Sequence, residues 1–119
     1  MNNDEMKIDD VLNIIRHYAR DGIQNKGLEK LTDTGAGIIG ELALIGLKKN
    51  GIGDPSRQYP VEEICTALAN NALDYMRDVN NQAPSGIRYH LVFVEKKCPS
   101  TYNDLLDDIT KLNPGGNQK

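Results

Sequence analysis

Apolar residues fall at helical intervals along most of the chain. Ile8, Val11, Leu12, Ile15 and Tyr18 share one face, which predicts a helix over residues 8–20. Asp9 and Asp10 lie near its start, where the helix dipole favours acids. Gly22 and Gly27 then bracket an expected loop at residues 21–26. Residues 28–32 fit a short strand, a helical turn or a loop equally well. A second helix is expected to start at Asp33 or Thr34, either of which can cap its first amides. It runs to residue 49 and is closed by Asn50 and Gly51, with Lys48 and Lys49 in its last turn. Ile38, Ile39, Leu42, Ala43, Ile45 and Leu47 make this helix apolar on nearly all sides, so it is expected to be the central and most buried one. Gly40 and Gly46 inside it each cost about 1 kcal/mol relative to alanine. Close approach of another helix would offset that cost.

Residues 51–59 read as a turn-rich linker containing Gly53, Asp54 and Pro55. The third predicted helix, residues 60–79, carries an unbroken stripe: Val61, Ile64, Cys65, Leu68, Ala72, Tyr75, Met76 and Val79. Pro60 suits its first position, and Glu62 and Glu63 suit its first turn. Residues 80–86 read as a loop. Residues 87–95 alternate, with Ile87, Tyr89, Leu91 and Phe93 toward a core and Arg88, His90, Val92 and Val94 on the opposite face, which predicts a strand. Ser100 is expected to cap a last helix over residues 101–112, with Tyr102, Leu105, Leu106, Ile109 and Leu112 on one side.

The expected fold is therefore α+β and predominantly helical, with four helices and one or two short strands. It forms a small single domain over residues 8–112, between disordered tails at 1–7 and 113–119. A lone strand poses a physical problem, because its backbone amides and carbonyls need partners. A cryptic strand at residues 27–32, a second copy of the chain, or the sheet edge of another protein would each supply them.

Composition narrows the function. The 119 residues suit one domain. Aromatic residues make up only 5% and tryptophan is absent, so aliphatic side chains must build the core. A net charge of −3 argues against a general nucleic-acid binder, which needs clustered lysine and arginine. No apolar run approaches the roughly 18 residues of a membrane helix, and the polar, acidic start lacks the features of a secretory signal. A cytoplasmic protein is the resulting expectation. Cys65, on an apolar stripe, reads as a core thiol, and Cys98, before Pro99, as a free thiol in a turn. Two cysteines make no disulfide framework, and neither has metal-site spacing.

Residues 33–40, Asp-Thr-Gly-Ala-Gly-Ile-Ile-Gly, carry the candidate chemistry. Asp33, Thr34, Gly35 and Ala36 resemble the active-site signature of retroviral-type aspartic proteases. That resemblance implies a homodimer whose paired aspartates activate water. The family's motif follows an apolar strand in a β-rich fold, whereas a helical pattern surrounds it here. Gly35, Gly37 and Gly40 also fit the G-x-G-x-x-G dinucleotide fingerprint, with Asp54 at the distance of the acidic partner. A weaker form of that reading is an anion site at the helix start, using Thr34, Gly35, Gly37 and Gly40.

The histidines, His17 and His90, lie on different elements, and no spacing suggests a metal site. Asp104, Asp107 and Asp108 read as the solvated face of the last helix. The leading expectation is a small acidic, non-enzymatic interaction protein of adaptor, inhibitor or immunity type, forming a homo-oligomer or binding a protein partner. It needs no cofactor and no metal, and its interface residues are Arg88, His90, Val92 and Val94. An anionic-ligand or nucleotide module is the alternative, and an aspartic-type hydrolase using Asp33 is the third.

Overall fold

The computed structural model describes residues 4–78 and 86–112. The expected helix end at Val79, most of the 80–86 loop, the C-terminal tail and the first three residues lie outside them. Among the described residues the order is β1 (Glu5–Lys7), α1 (Ile8–Asn25), a 3-10 turn (Glu29–Leu31), α2 (Thr32–Lys49), β2 (Gln58–Pro60), α3 (Val61–Asp78), α4 (Ile87–Lys97) and α5 (Pro99–Leu112). The predominantly helical α+β class holds, with five helices instead of four and two short strands in places the pattern does not mark.

Helix α1 buries Ile8, Val11, Leu12, Ile15 and Ala19 along one stripe. It continues through Gly22, where a loop was expected. An added Cβ at Gly22 would collide with the Tyr89 side chain of α4, so the missing side chain admits that ring. The helix ends instead at Gly27, whose φ of 75° is strained for any residue with a Cβ. The Gly27 amide donates to Gln24 O at 2.9 Å and the Leu28 amide to Ile23 O at 3.3 Å. This pairing satisfies carbonyls that the helix end leaves open. Helix α2 closes the same way: Gly51 has φ 85°, its amide reaches Lys48 O at 3.2 Å, and Ile52 N–H reaches Leu47 O at 2.9 Å. Ile52 and Leu47 are both buried, which adds the apolar contact that accompanies such a cap.

The two strands form an antiparallel pair with Met6 opposite Tyr59. Residues 5–7 are therefore ordered into the fold and do not belong to a tail. Pro60 sits at the end of β2, where its missing amide costs no ladder bond. Tyr59 is buried and its hydroxyl accepts the Asp54 amide at 3.0 Å, so the 51–59 linker is pinned to the body.

The largest correction concerns residues 87–97, which form helix α4 and not a strand. Ile87, His90, Leu91 and Val94 also fall at i, i+3, i+4 and i+7, so the sequence carries a helical face beneath the alternation. Counting histidine as polar hides it. The physical choice follows from the backbone: a strand here would lack a ladder partner, whereas a helix pairs its own amides and carbonyls. Lys96 and Lys97 occupy the last turn, where the dipole favours cations. The 27–32 segment is a 3-10 turn leading into α2, not a cryptic strand.

Helix α3 is the most buried element, with Val61, Ile64, Cys65, Ala67, Leu68, Ala69, Ala72, Leu73 and Met76 all inside. It packs against α2, α4 and α5. Helix α2, expected to hold that position, is half outside: Ile38 is 56% exposed and Ile45 49%. Its inward side is made largely of small residues. Ala36, Gly40, Ala43 and Gly46 are buried, Gly40 against Arg16 of α1 and Gly46 against Asn71 of α3. The two glycines thus admit neighbouring helices, as their positions suggest.

The glycines of α2 separate two effects that a propensity scale merges. Gly37 has open space where a Cβ would go. Gly37→Ala should stabilise by about 0.5–1 kcal/mol through helix propensity alone. At Gly46 the Cβ would meet the amide and Cβ of Asn71. Gly46→Ala should therefore destabilise, by about 1–3 kcal/mol, as overpacking does. Urea denaturation of both variants beside the parent checks the opposite signs.

Candidate functional site

The Asp33–Gly40 peptide lies within α2, from its first turn inward. Leu31 precedes the helix with φ −98° and ψ 0°, and neither Asp33 nor Thr34 caps it through a side chain. The Asp33 carboxylate is exposed and lies 3.5 Å from Arg20 Nε. An exposed pair of this kind is worth about 0–1 kcal/mol. Asp33 therefore stands on an exposed helix surface, without the preceding apolar strand that the aspartic protease motif requires. The dinucleotide pattern fails on the same ground, since a 3-10 turn precedes the helix where a strand is needed. Asp54 has a local role: its Oδ1 accepts the Ser56 amide at 2.9 Å and the Ser56 hydroxyl at 2.7 Å. Those two bonds hold its carboxyl below the usual aspartate range.

The four residues assigned to an anion site are divided by the helix. Thr34 and Gly37 line an open cleft of about 450 Å³ beside Arg16, Asp33, Ile38, Glu41 and Leu42. Gly35 faces Ile23 of α1, and Gly40 is buried under Arg16. Gly37 and Gly40 lie past the first turn, so their amides are spent within the helix. Only first-turn amides stay open, and the Asp33 carboxylate beside them opposes an anion.

The four interface residues are likewise separated, because α4 winds them around an axis. Arg88 is exposed, Val92 is half-buried, and His90 and Val94 are fully buried. Of the residues expected to face the core, Phe93 is fully buried while Tyr89 and Leu91 are half-buried. His90 is a structural tie, not a surface group. Its Nε2–H donates to the Ile39 carbonyl at 2.9 Å, joining α4 to the inner side of α2. The carbonyl can only accept, so this bond fixes the tautomer and leaves Nδ1 a bare acceptor with no hydrogen-bond partner among the described residues. Burial holds the pKa of this ring below its ordinary value.

The structure exposes a feature that reading α2 as uniformly buried misses. Ile38 (56% exposed) and Ile45 (49%) stand seven residues apart on its outer side, and exposed Leu31 (56%) lies in the 3-10 turn before the helix. Seven residues is close to two helical turns, so Ile38 and Ile45 share one stripe. Half-buried Leu42 widens it, and the open cleft runs alongside. The heptad spacing is visible in the sequence, but Ile39, Ala43 and Leu47 at neighbouring positions obscure which face is outward. A second open cleft of about 470 Å³ lies where α2 ends and α3 begins, and Glu62 and Glu63 line it. No trio of histidine, cysteine or acidic side chains suited to a metal occurs among the described residues.

The buried histidine makes stability depend on pH in a definite direction. The unfolded chain binds a proton at His90 near the ordinary pKa of 6.5, and the folded chain only at lower pH. Between those two values the unfolded state holds more protons, so stability rises with pH there. It is expected to be complete above pH 6.5 and to fall as the pH drops below it. His90→Gln keeps a donor for Ile39 but cannot titrate, and should flatten that slope in urea denaturation repeated across the range.

Comparison with known proteins finds no matching family model, no matching curated protein and no matching solved structure.

Proposed function

We propose that this protein is a small, non-enzymatic interaction protein whose contact surface is the outer side of α2. The exposed stripe of Ile38 and Ile45, with exposed Leu31 in the turn before the helix, carries this reading. Large aliphatic side chains lose their hydrophobic gain when left in water, at about 25 cal/mol per Å² of apolar surface. Here Ile38 and Ile45 stand outward while alanine and glycine of the same helix face the core beside Ile39 and Leu47. A stripe at heptad spacing is the complement of another amphipathic helix, whose apolar edge would lie along it. The partner is a second copy of this chain or a helix of another protein, giving an adaptor, inhibitor or immunity-type role.

The acidic composition favours the cytoplasm as its location. No helix among the described residues is long and apolar enough to cross a membrane. The reading uses no catalytic group and no cofactor. It differs from the sequence-based expectation in the surface used, because no strand edge exists at residues 87–95.

Ile38→Glu and Ile45→Glu test the proposal. Both side chains are exposed, so each variant should change folding stability by only about 0.5 kcal/mol. Each should weaken association at least tenfold, measured by light scattering over a concentration series for self-association and by capture of host proteins for a foreign partner. A parent chain that stays monomeric, and that captures the same proteins as both variants, would overturn the reading.

A further inference from the structure

The cleft beside Ile38 has the form of a socket. Thr34, Gly37, Ile38 and Glu41 line it, and along α2 they stand at i, i+3, i+4 and i+7. Four residues at that spacing make the hole into which a facing helix inserts one side chain. Gly37 deepens the hole, since nothing lies within 4 Å of the place its Cβ would take. The cleft measures about 450 Å³. An apolar void of roughly 150 Å³ already takes a benzene-sized group, so one isoleucine side chain fits. A matching knob stands on the same helix: Ile45 is 49% exposed and follows Ile38 by one heptad.

Charge is divided along the helix. Asp33 lies in the first turn, and Lys48 and Lys49 lie in the last. The Asp33 carboxylate, although 3.5 Å from Arg20 Nε, remains exposed. Neither lysine has an ion pair among the described residues.

We propose that the partner on this face is a second copy of the chain, with the two α2 helices antiparallel about a two-fold axis and Ile45 of each in the socket of the other. This rests on the reading of α2 as the contact surface and names its partner. A two-fold pair uses one patch twice, so that patch must hold both knob and socket. Here it does. Ile38 of each copy faces Ile45 of the other, and the axis passes midway, between positions 41 and 42. Charge sets the direction. Antiparallel packing brings Asp33 of one copy to the lysines of the other at both ends, and it opposes the two helix dipoles. Parallel packing would set Asp33 against Asp33 and lysines against lysines. Glu41 of the two copies comes near the axis, where Arg16 on the wall of the same cleft supplies the opposite charge.

The full-length chain, followed by light scattering over a concentration series, should show a monomer–dimer equilibrium. Gly37→Leu fills the socket from a position with free space around it. It should fold at least as stably as the parent in urea denaturation, yet dimerise at least tenfold more weakly. Ile38→Cys and Ile45→Cys report the direction. Under mild oxidation a mixture of the two should give a cross-linked dimer. Either alone, like the parent with its two buried thiols, should not. A chain that stays monomeric to about 1 mM would overturn the proposal. If Ile38→Glu then still loses captured host proteins, the α2 surface stands with a foreign partner; if it loses none, both readings fall. A dimer indifferent to Gly37→Leu also overturns the proposal, because its socket is empty. Cross-linking of Ile38→Cys alone does so too, because it marks a parallel pair.

Discussion

The seam of small residues along the inner side of α2 is the contact on which the rest of this structure depends. Ala36, Gly40, Ala43 and Gly46 let α1 and α3 approach the α2 backbone closely. The side chains of Arg16 and Asn71 lie against the two glycines, and the close approach adds dispersion beside the buried Ile39 and Leu47 of the same helix. This suits a chain with one phenylalanine and no tryptophan, which has few bulky groups with which to fill wider gaps. The same arrangement decides what the outside looks like. When the small residues turn inward, the aliphatic residues on the other side of α2 must stand in water. Core packing and the candidate interaction surface are thus two sides of one helix.

A second constraint, that buried backbone polar groups be paired, governs the remaining elements. Residues 87–97 alternate in hydrophobicity, yet they fold as a helix because that conformation needs no external ladder. The resulting α4 is fixed to its neighbours by contacts a strand could not make. His90 donates to the Ile39 carbonyl, Tyr89 fills the space left by Gly22, and Ile87, Phe93 and Val94 enter the core. The short β1–β2 pair obeys the same rule: its three-residue strands satisfy each other and tie the start of α1 to the start of α3.

The candidate chemistry of residues 33–40 shows how little a short motif says without its setting. Aspartic catalysis and dinucleotide binding both need a strand that delivers the motif to a sheet edge or a strand-to-helix turn. Here a 3-10 turn delivers it to the first turns of a helix. The glycines that could have cradled a phosphate serve helix contact, or, at Gly37, border an open cleft. What remains on that helix is an exposed apolar stripe.

By itself, the sequence determined the helices with strong periodicity and the end of α2. The stripes of α1, α3 and α5 follow from side chains recurring at three and four residues, and the stop at Gly51 from a conformation that only glycine adopts without strain. The burial of Cys65 and the close approach at Gly40 and Gly46 were legible for the same local reasons, whereas Phe93 is buried on a helix and not through the alternation that marked it. Tertiary structure alone decided two things. It chose helix over strand for residues 87–97, where both periodicities coexist and only the absence of a partner strand discriminates. It chose which side of α2 faces water, because small and large apolar residues are equally apolar to a pattern and differ only in how closely a neighbour can approach.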